Sequence, residues 1–136
     1  MKKKKLFTKF DFQRLQKIIN DKHVLDDQDA GDVNTLQYYL THSKLVDSTE
    51  IRPNIVTMNS KFSLKNIGNG KKEVYSLVFP NDSGDDKTKI NVFSKIGAQI
   101  LGSSIGTVIQ TSPTDNQYFV IEEILYQPEA EGDYHV

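Results

Sequence analysis

The sequence predicts an α+β fold in which a helical segment precedes a mostly antiparallel sheet. Three observations indicate this: apolar residues recur every three or four positions before residue 50, they alternate with polar residues after residue 55, and Pro53 stands at the change. The first pattern is typical of amphipathic helices and the second of half-buried strands. We therefore divide the chain into a helical segment, residues 1–50, and a sheet domain, residues 53–136.

Two short helices are predicted before the change of pattern. Their apolar stripes comprise Phe12, Leu15 and Ile19 in the first helix and Val33, Leu36 and Leu40 in the second. Asp11 is placed to cap the first helix or to lie in its first turn, and Asp32 to cap the second. Leu45 and Val46 are expected to continue or close the second helix. Two such helices joined by a polar connector pack as an antiparallel hairpin, preceded by a solubilising basic tail, residues 1–9.

Strand signals and one short helix follow in the second part of the chain. Strands are predicted at 55–59, 62–67, 74–79, 90–93, 107–111 and 117–126, and a helix at 95–101. The pair Asn69 and Gly70 is a strong hairpin-turn signal, because asparagine and glycine both tolerate a positive φ. Pro80 ends the third strand, and Gly102 ends the helix. The glycines at 97, 102 and 106 fit no phosphate-binding motif, so turn and cap roles are expected.

Composition excludes several function classes. The chain contains no cysteine, so disulfides and thiolate metal sites are excluded. Its net charge of -1 gives no general attraction to nucleic acid, and no apolar run approaches the roughly 20 residues of a membrane span. His23, His42 and His135 lack metal-ligand spacing. We predict no cofactor, no metal site, no small-molecule substrate, no membrane contact and no enzymatic activity, in a cytoplasmic protein.

The lysine run at residues 2–5 raises the question of nucleic-acid binding. No aromatic residues interleave with these lysines to stack on bases. Direct contact with nucleic acid is therefore not expected.

Four aspartates near the connector form the most notable chemical constellation. They are Asp26, Asp27, Asp29 and Asp32. A calcium loop beginning at Asp26 would need a bidentate glutamate where Gln37 stands, so that site is excluded. Two interpretations remain: the carboxylates solvate a loop and favour the start of the second helix, or they meet a metal ion or basic groove in a partner.

Residues 90–106 read Ile-Asn-Val-Phe-Ser-Lys-Ile-Gly-Ala-Gln-Ile-Leu-Gly-Ser-Ser-Ile-Gly. This segment resembles the C-terminal signature of the Gre transcript-cleavage factors, Ile-Ser-x-x-Ser-Pro-Ile-Gly-x-Ala-Leu-Leu-Gly-x-x-x-Gly. The matching positions are Ile90, Ser94, Ile96, Gly97, Leu101, Gly102 and Gly106. Residues 55–60 and 126–134 resemble the subgroup named regulator of nucleoside diphosphate kinase. Together with residues 74–80, these segments are spread along the chain from Pro53 to its C-terminal residues.

The resemblance implies an FKBP-like domain, a twisted antiparallel sheet against a short helix, preceded by an antiparallel coiled coil. It implies RNA polymerase as partner, with the domain docked at the rim of the secondary channel and the coiled coil directed into the pore. In the cleavage factors, acids at the coiled-coil tip help to hold a second catalytic magnesium ion. The polymerase-contacting loop of the family corresponds here to Asn91, Phe93, Ser94, Lys95 and Ile96. Lys95 stands where the family usually has proline.

Helix length separates the possible activities. Helices of about 12–15 residues extend about 20 Å, and the cleavage factors have coiled coils about twice as long. We therefore predict a monomeric, non-catalytic regulator that binds RNA polymerase and competes with Gre factors. Two alternatives remain: an active cleavage factor that uses the tip aspartates, and an FKBP-like peptidyl-prolyl isomerase. Only the implied fold suggests the second, and the chain lacks tryptophan.

Overall fold

The computed structural model describes residues 5–21, 28–110 and 117–136, and these ranges form a mixed α+β structure. The helices are α1 (Lys9–Ile19), α2 (Ala30–Thr41), α3 (Pro80–Ser83) and α4 (Lys95–Ile100), with a 3-10 turn at Pro128–Glu131. The strands are β1 (Leu6–Thr8), β2 (Lys44–Val46), β3 (Lys61–Asn66), β4 (Lys72–Val78), β5 (Lys89–Asn91), β6 (Val108–Gln110) and β7 (Tyr118–Tyr126). The predicted α+β class is confirmed.

Both N-terminal helices begin at a side-chain cap. The hydroxyl of Thr8 accepts a hydrogen bond from the amide of Asp11 at 3.0 Å, so Asp11 lies in the first turn of α1. The carboxylate of Asp29 accepts one from the amide of Asp32 at 3.0 Å. Asp32 was therefore wrongly predicted as the cap of α2. Asp29 caps the helix because its side chain can accept a hydrogen bond from the amide of Asp32, three residues later, which has no partner inside the helix.

The main sheet has five strands in the order β5-β4-β3-β7-β6, antiparallel except for the parallel pair β4 and β5. A second, two-stranded sheet pairs β1 with β2 in parallel, with Phe7 opposite Leu45. Leu45 and Val46 therefore form a strand and do not continue α2. Because β1 precedes α1 and β2 follows α2, this small sheet joins the two ends of the helical segment.

The predicted strand at 55–59 is wrong. Ile55 forms only an isolated bridge with Ser104. The amide of Val56 donates to the carbonyl of Ser103 at 2.9 Å, and the amide of Asn59 donates to Leu77 at 2.7 Å. Ile55, Val56, Thr57 and Met58 are all buried, so the alternation of apolar and polar residues here does not reflect burial on one face. Asn59, with φ at 64°, turns the segment toward β3.

Side chains of the helices and of the sheet bury one another in a single apolar cluster. Its members include Phe7, Leu15, Leu36 and Leu40 from the N-terminal segment and Phe62, Phe93, Ile100, Leu101 and Ile121 from the sheet domain. Each fully buried side chain of this size contributes about 1.5–3 kcal/mol. Within the described ranges, no helix is both long and apolar enough to cross a membrane.

Lys5 is half-buried against the end of α4, although the sequence suggested a solvated tail. Its ammonium donates to the carbonyl of Leu101 at 2.9 Å, to the hydroxyl of Ser103 at 3.0 Å, and to the carbonyl of Gln99. These groups lie at the end of α4, where the last carbonyls lack partners within the helix. Burial lowers the pKa of Lys5 to about 7. Residues 2–4 of the lysine run lie outside the described residues.

Two glycines of the family signature are required by close packing. A Cβ added at Gly97 would lie 2.2 Å from the carbonyl oxygen of Asn91 and 2.9 Å from the Cα of Val92. Gly102 has φ at 77°, and a Cβ there would lie 2.6 Å from the ring of Phe7. The first glycine brings α4 against the loop before it, and the second lets β1 approach the end of α4.

Replacing Gly97 with alanine should destabilise the protein by about 1–3 kcal/mol, because backbone atoms cannot move aside as a flexible side chain can. Urea unfolding followed by circular dichroism measures this loss. Gly31→Ala is the matched control, since its Cβ would meet only the carboxylate of Asp29 at 3.1 Å. Alanine also favours a helix. Equal losses in the two variants would contradict the packing argument.

Candidate functional site

The loop from Asn91 to Ile96 is folded by its own polar side chains. The Oδ1 atom of Asn91 accepts from the amide of Phe93 at 2.9 Å, and its carbonyl accepts from the amide of Ser94 at 2.9 Å. The hydroxyl of Ser94 donates to that same carbonyl at 2.6 Å and accepts from the amide of Gly97 at 3.0 Å, which caps α4. Asn91 and Ser94 therefore shape the loop.

The remaining candidates of this loop divide into core and surface. Phe93 is 1% exposed and belongs to the apolar core, and Ile96 is half-buried against it. Lys95 is exposed, and its side chain makes no hydrogen bond or ion pair with any residue that the structure describes. Of the five candidates, Lys95 is the side chain that the loop exposes to solvent.

The start of α2 lies against this loop. The Nδ2 atom of Asn91 donates to the Oε1 atom of Gln28 at 2.9 Å. Gln28 directly precedes Asp29, the cap of α2, and α2 then contacts α4. Asn91, one of the predicted loop residues, is thus bonded to the residue that directly precedes Asp29, one of the four predicted aspartates.

The four aspartates are only partly described. Asp29 is exposed and Asp32 half-buried, and both lie at the start of α2: Asp29 directly follows the residue that contacts Asn91, and Asp32 stands three positions after Asp29. Asp26 and Asp27 lie outside the described residues. In residues 5–21, 28–110 and 117–136, no group of three or more histidine, cysteine, aspartate or glutamate side chains is placed to hold a metal ion. The capping bond of Asp29 gives that carboxylate a structural role.

Sequence reasoning missed a buried set of hydrogen bonds between α1 and the sheet domain. We call this set the joint; it comprises Asp11, Thr57, Met58, Gln127 and Glu129. Asp11 is 1% exposed, and its Oδ2 atom accepts from the amide of Met58 at 3.0 Å. Its Oδ1 atom pairs with Arg14, whose guanidinium lies 3.9 Å from the ring centre of Phe10 and 4.8 Å from that of Phe79. Burial raises the pKa of Asp11, while the Met58 amide and the Arg14 charge oppose the rise.

Glu129 completes this joint from the C-terminal turn. It is 7% exposed, and its Oε1 atom accepts from the hydroxyl of Thr57 at 2.6 Å. Gln127 donates through its Nε2 atom to the carbonyls of Arg52 and Ile55 at 2.8 and 2.7 Å. Burial raises the pKa of Glu129; the Thr57 hydrogen bond opposes that rise, and the nearby Asp11 carboxylate adds to it.

The joint gives a physical role to two stretches that carried only a resemblance. Residues 55–60 supply Thr57 and the Met58 amide, and residues 126–134 supply Gln127 and Glu129. The two stretches bind each other, and through Asp11 they hold α1. Their joint resemblance to one subgroup was the signal in the sequence, but neither stretch by itself indicated a partner.

Replacing Glu129 with glutamine should flatten the dependence of stability on pH. The pKa of Glu129 is raised in the folded state, so above the ordinary value of about 4.3 the folded protein binds more protons than the unfolded chain. The free energy of unfolding therefore falls as pH rises from about 4 through the raised pKa. Urea unfolding at pH 4.5 and at pH 7 measures the fall.

The glutamine side chain keeps an oxygen acceptor for Thr57, so we expect no loss of stability at pH 7. The free energy of unfolding should fall less with rising pH than in the wild type. Some fall should remain, because Asp11, whose pKa is also raised, still titrates. Glu131→Gln is the control, since Glu131 is exposed on the same turn. An unchanged pH dependence in Glu129→Gln would count against this account of the joint.

Comparison with known proteins follows the same division of the chain. Residues 51–126 match the family model described as transcription elongation factor, GreA/GreB, C-term. The matched range contains the loop at 91–96, α4 and both closely packed glycines. It covers more than half of the chain.

Individual relatives extend the similarity beyond this range. The chain is 31% identical over 103 residues to the regulator of nucleoside diphosphate kinase of Escherichia coli K12, covering 74% of this chain and 76% of that protein. It is 28% identical over 100 residues to transcription elongation factor GreA of Oenococcus oeni, covering 74% of this chain but 61% of that protein. A solved GreA/GreB structure from Nitrosomonas europaea superposes with a TM-score of 0.76 at 25% identity, covering 92% of this chain and 100% of that one. The chain belongs to the GreA/GreB family of transcription elongation factors.

Proposed function

We propose that this protein is a non-catalytic regulator that binds bacterial RNA polymerase at the rim of the secondary channel and competes there with cleavage factors. Membership of the GreA/GreB family supports RNA polymerase as the partner. The observation that carries the non-catalytic role is the contact between Gln28 and Asn91, which holds the start of α2 beside the docking loop.

In this proposal the sheet domain is the FKBP-like domain of the family and docks through the loop at 91–96. Asn91 and Ser94 are occupied in folding that loop, and Phe93 and Ile96 anchor it to the core. Lys95 is left to meet the polymerase. A lysine in this position favours an acidic surface on the rim.

The helices α1 and α2 act as the short antiparallel hairpin. They contain 11 and 12 residues, so each extends about 16–18 Å. The end of the hairpin that carries Asp29 is bonded to the docking loop through Gln28. A tip held beside the rim-binding loop stays at the rim. The tip aspartates therefore do not reach a magnesium ion deep in the channel.

The two alternatives find less support. An active cleavage factor would need the aspartates far from the docking loop, whereas Asp29 lies next to it. An isomerase would need a peptide-sized pocket on the sheet. The cavity there, between Leu64, Tyr75 and Phe119, measures about 200 Å³, and ligand pockets usually exceed about 300 Å³. A monomer in the cytoplasm is sufficient for the proposed role.

Reversing the charge of Lys95 should weaken polymerase binding. Lys95→Glu places a carboxylate at the exposed position of the docking loop, and we expect capture of RNA polymerase to fall about tenfold, which corresponds to ~1.4 kcal/mol. Immobilised protein and purified polymerase measure the affinity, with added GreA as competitor. Excess GreA should displace the wild type.

Lys71→Glu is the matched control for this charge reversal. Lys71 is exposed and directly precedes β4. The docking loop lies at the other end of β4, where Val78 pairs with Asn91. That separation is about 20 Å along the strand. Capture by Lys95→Glu at the wild-type level would rule out the docking role, and failure of GreA to compete would rule out the shared site.

Backtracked elongation complexes test the absence of cleavage. At concentrations of this protein that saturate polymerase binding, the nascent RNA should shorten no faster than with polymerase alone. A cleavage-active GreA in a parallel reaction shows that the complexes respond. Faster RNA shortening with the present protein would reverse the non-catalytic assignment.

A further inference from the structure

A groove separates the C-terminal end of α2 from β1 and from the segment before β6. Its volume is about 880 Å³, within the range of small-molecule sites. Three rings line it, those of Tyr38, Tyr39 and His42, together with the cationic side chains Lys5 and Arg52. Among the lining residues that the structure describes, none is an aspartate or a glutamate.

The aromatic side of the groove presents an open ring face. Tyr38 is 59% exposed, which is high for a large aromatic side chain. The imidazole of His42 stacks on it at 4.1 Å between ring centres and 28° between planes. The Nδ1 atom of His42 donates to the carbonyl of Tyr38 at 2.8 Å, which holds the imidazole in place. The Tyr39 ring meets the Tyr38 ring edge-on, with 6.0 Å between ring centres, and the exposed part of the Tyr38 ring offers a surface on which a planar group can stack.

The cationic side of the groove favours an anion. Arg52 is exposed, and within the described part of the chain its guanidinium makes no hydrogen bond or ion pair. The ammonium of Lys5 lies 4.6 Å from the ring centre of Tyr39. A guanidinium with free donors matches the oxygens of a phosphate.

The fold supplies what the lysine run lacks in the sequence. No aromatic residue interleaves with residues 2–5, but α2 places Tyr39 over Lys5 and Tyr38 on the same groove. An exposed aromatic ring beside an unpaired guanidinium is the combination that binds a base and its phosphate. We infer that this groove is a nucleotide-binding site in which the base stacks on Tyr38 and the phosphate pairs with Arg52.

A nucleotide unit can come from a free nucleotide or from single-stranded RNA. Calorimetric titration of the full chain at low salt with adenosine 5′-monophosphate, a short oligoadenylate, inorganic phosphate and an acidic peptide distinguishes these sources. The first two probes should bind, and inorganic phosphate should bind more weakly because it cannot stack. Equal affinity for mononucleotide and oligomer indicates a free nucleotide, whereas tighter oligomer binding indicates RNA.

Two substitutions locate the binding. Tyr38→Ala and Arg52→Glu should each weaken nucleotide affinity about tenfold or more, the loss expected for one stacked base or one phosphate contact. The matched controls are Tyr134→Ala, an exposed tyrosine outside the groove lining, and Lys89→Glu, on the edge strand opposite β6. Both controls should bind as the wild type does. Urea unfolding confirms that each variant is folded.

Several outcomes would overturn the site. These are no heat of binding with either nucleotide probe, equal weakening in the groove variants and the controls, or preferential binding of the acidic peptide. The experiment requires no polymerase. Its failure would therefore leave the docking role of Lys95 untouched.

Discussion

The hydrogen bond from the Met58 amide to the Asp11 carboxylate is the contact on which the placement of the helices depends. A buried carboxylate is costly unless it is paired and hydrogen-bonded. Arg14 supplies the charge and Met58 the amide, so Asp11 is satisfied only when α1 lies against residues 55–60. Glu129 and Gln127 hold that segment from the other side. If α1 shifted relative to residues 55–60, the carboxylate of Asp11 would stay buried without the Met58 amide as its donor.

This constraint also explains why the predicted site residues meet. With α1 fixed by the joint and α2 packed on α4, the start of α2 can lie only near the loop that leads into α4. Gly97 allows that loop to fold tightly, and Asn91 then bonds both the loop and Gln28. The surface around Lys95 therefore depends on two contacts, that of Asp11 at the start of α1 with Met58 and that of Gln28 with Asn91.

Local patterns in the sequence were sufficient for much of the fold. The stripes of α1 and α2 and the strands β3, β4 and β7 were predicted near their observed positions, because each pattern reflects burial on one face. The segment at 55–59 also alternates, although its residues from Ile55 to Met58 are all buried, and the sequence period alone does not distinguish this case from a half-buried strand. The pairing of β1 with β2 joins residues far apart in the chain, and such pairing leaves no local signal.

The candidate site shows the same limit more strongly. The resemblance to a family signature located the loop at 91–96. Which of its side chains shape the loop and which is exposed follows from hydrogen bonds that only the folded loop forms. Lys5 was assigned to a tail because four lysines in a row resemble one. Its burial depends on acceptors nearly a hundred residues away. The groove beside it was invisible for the same reason.

The parallel pairing of β1 with β2 makes the reach of the helical segment adjustable. The chain leaves the fold next to where it returns, so α1 and α2 could gain whole turns between them without disturbing either end. If α1 and α2 form the proposed hairpin, each turn added to both helices would move its far end outward by about 5.4 Å. Such a step would carry Gln28 away from Asn91. On that proposal, a longer helical segment and the Gln28–Asn91 contact exclude each other.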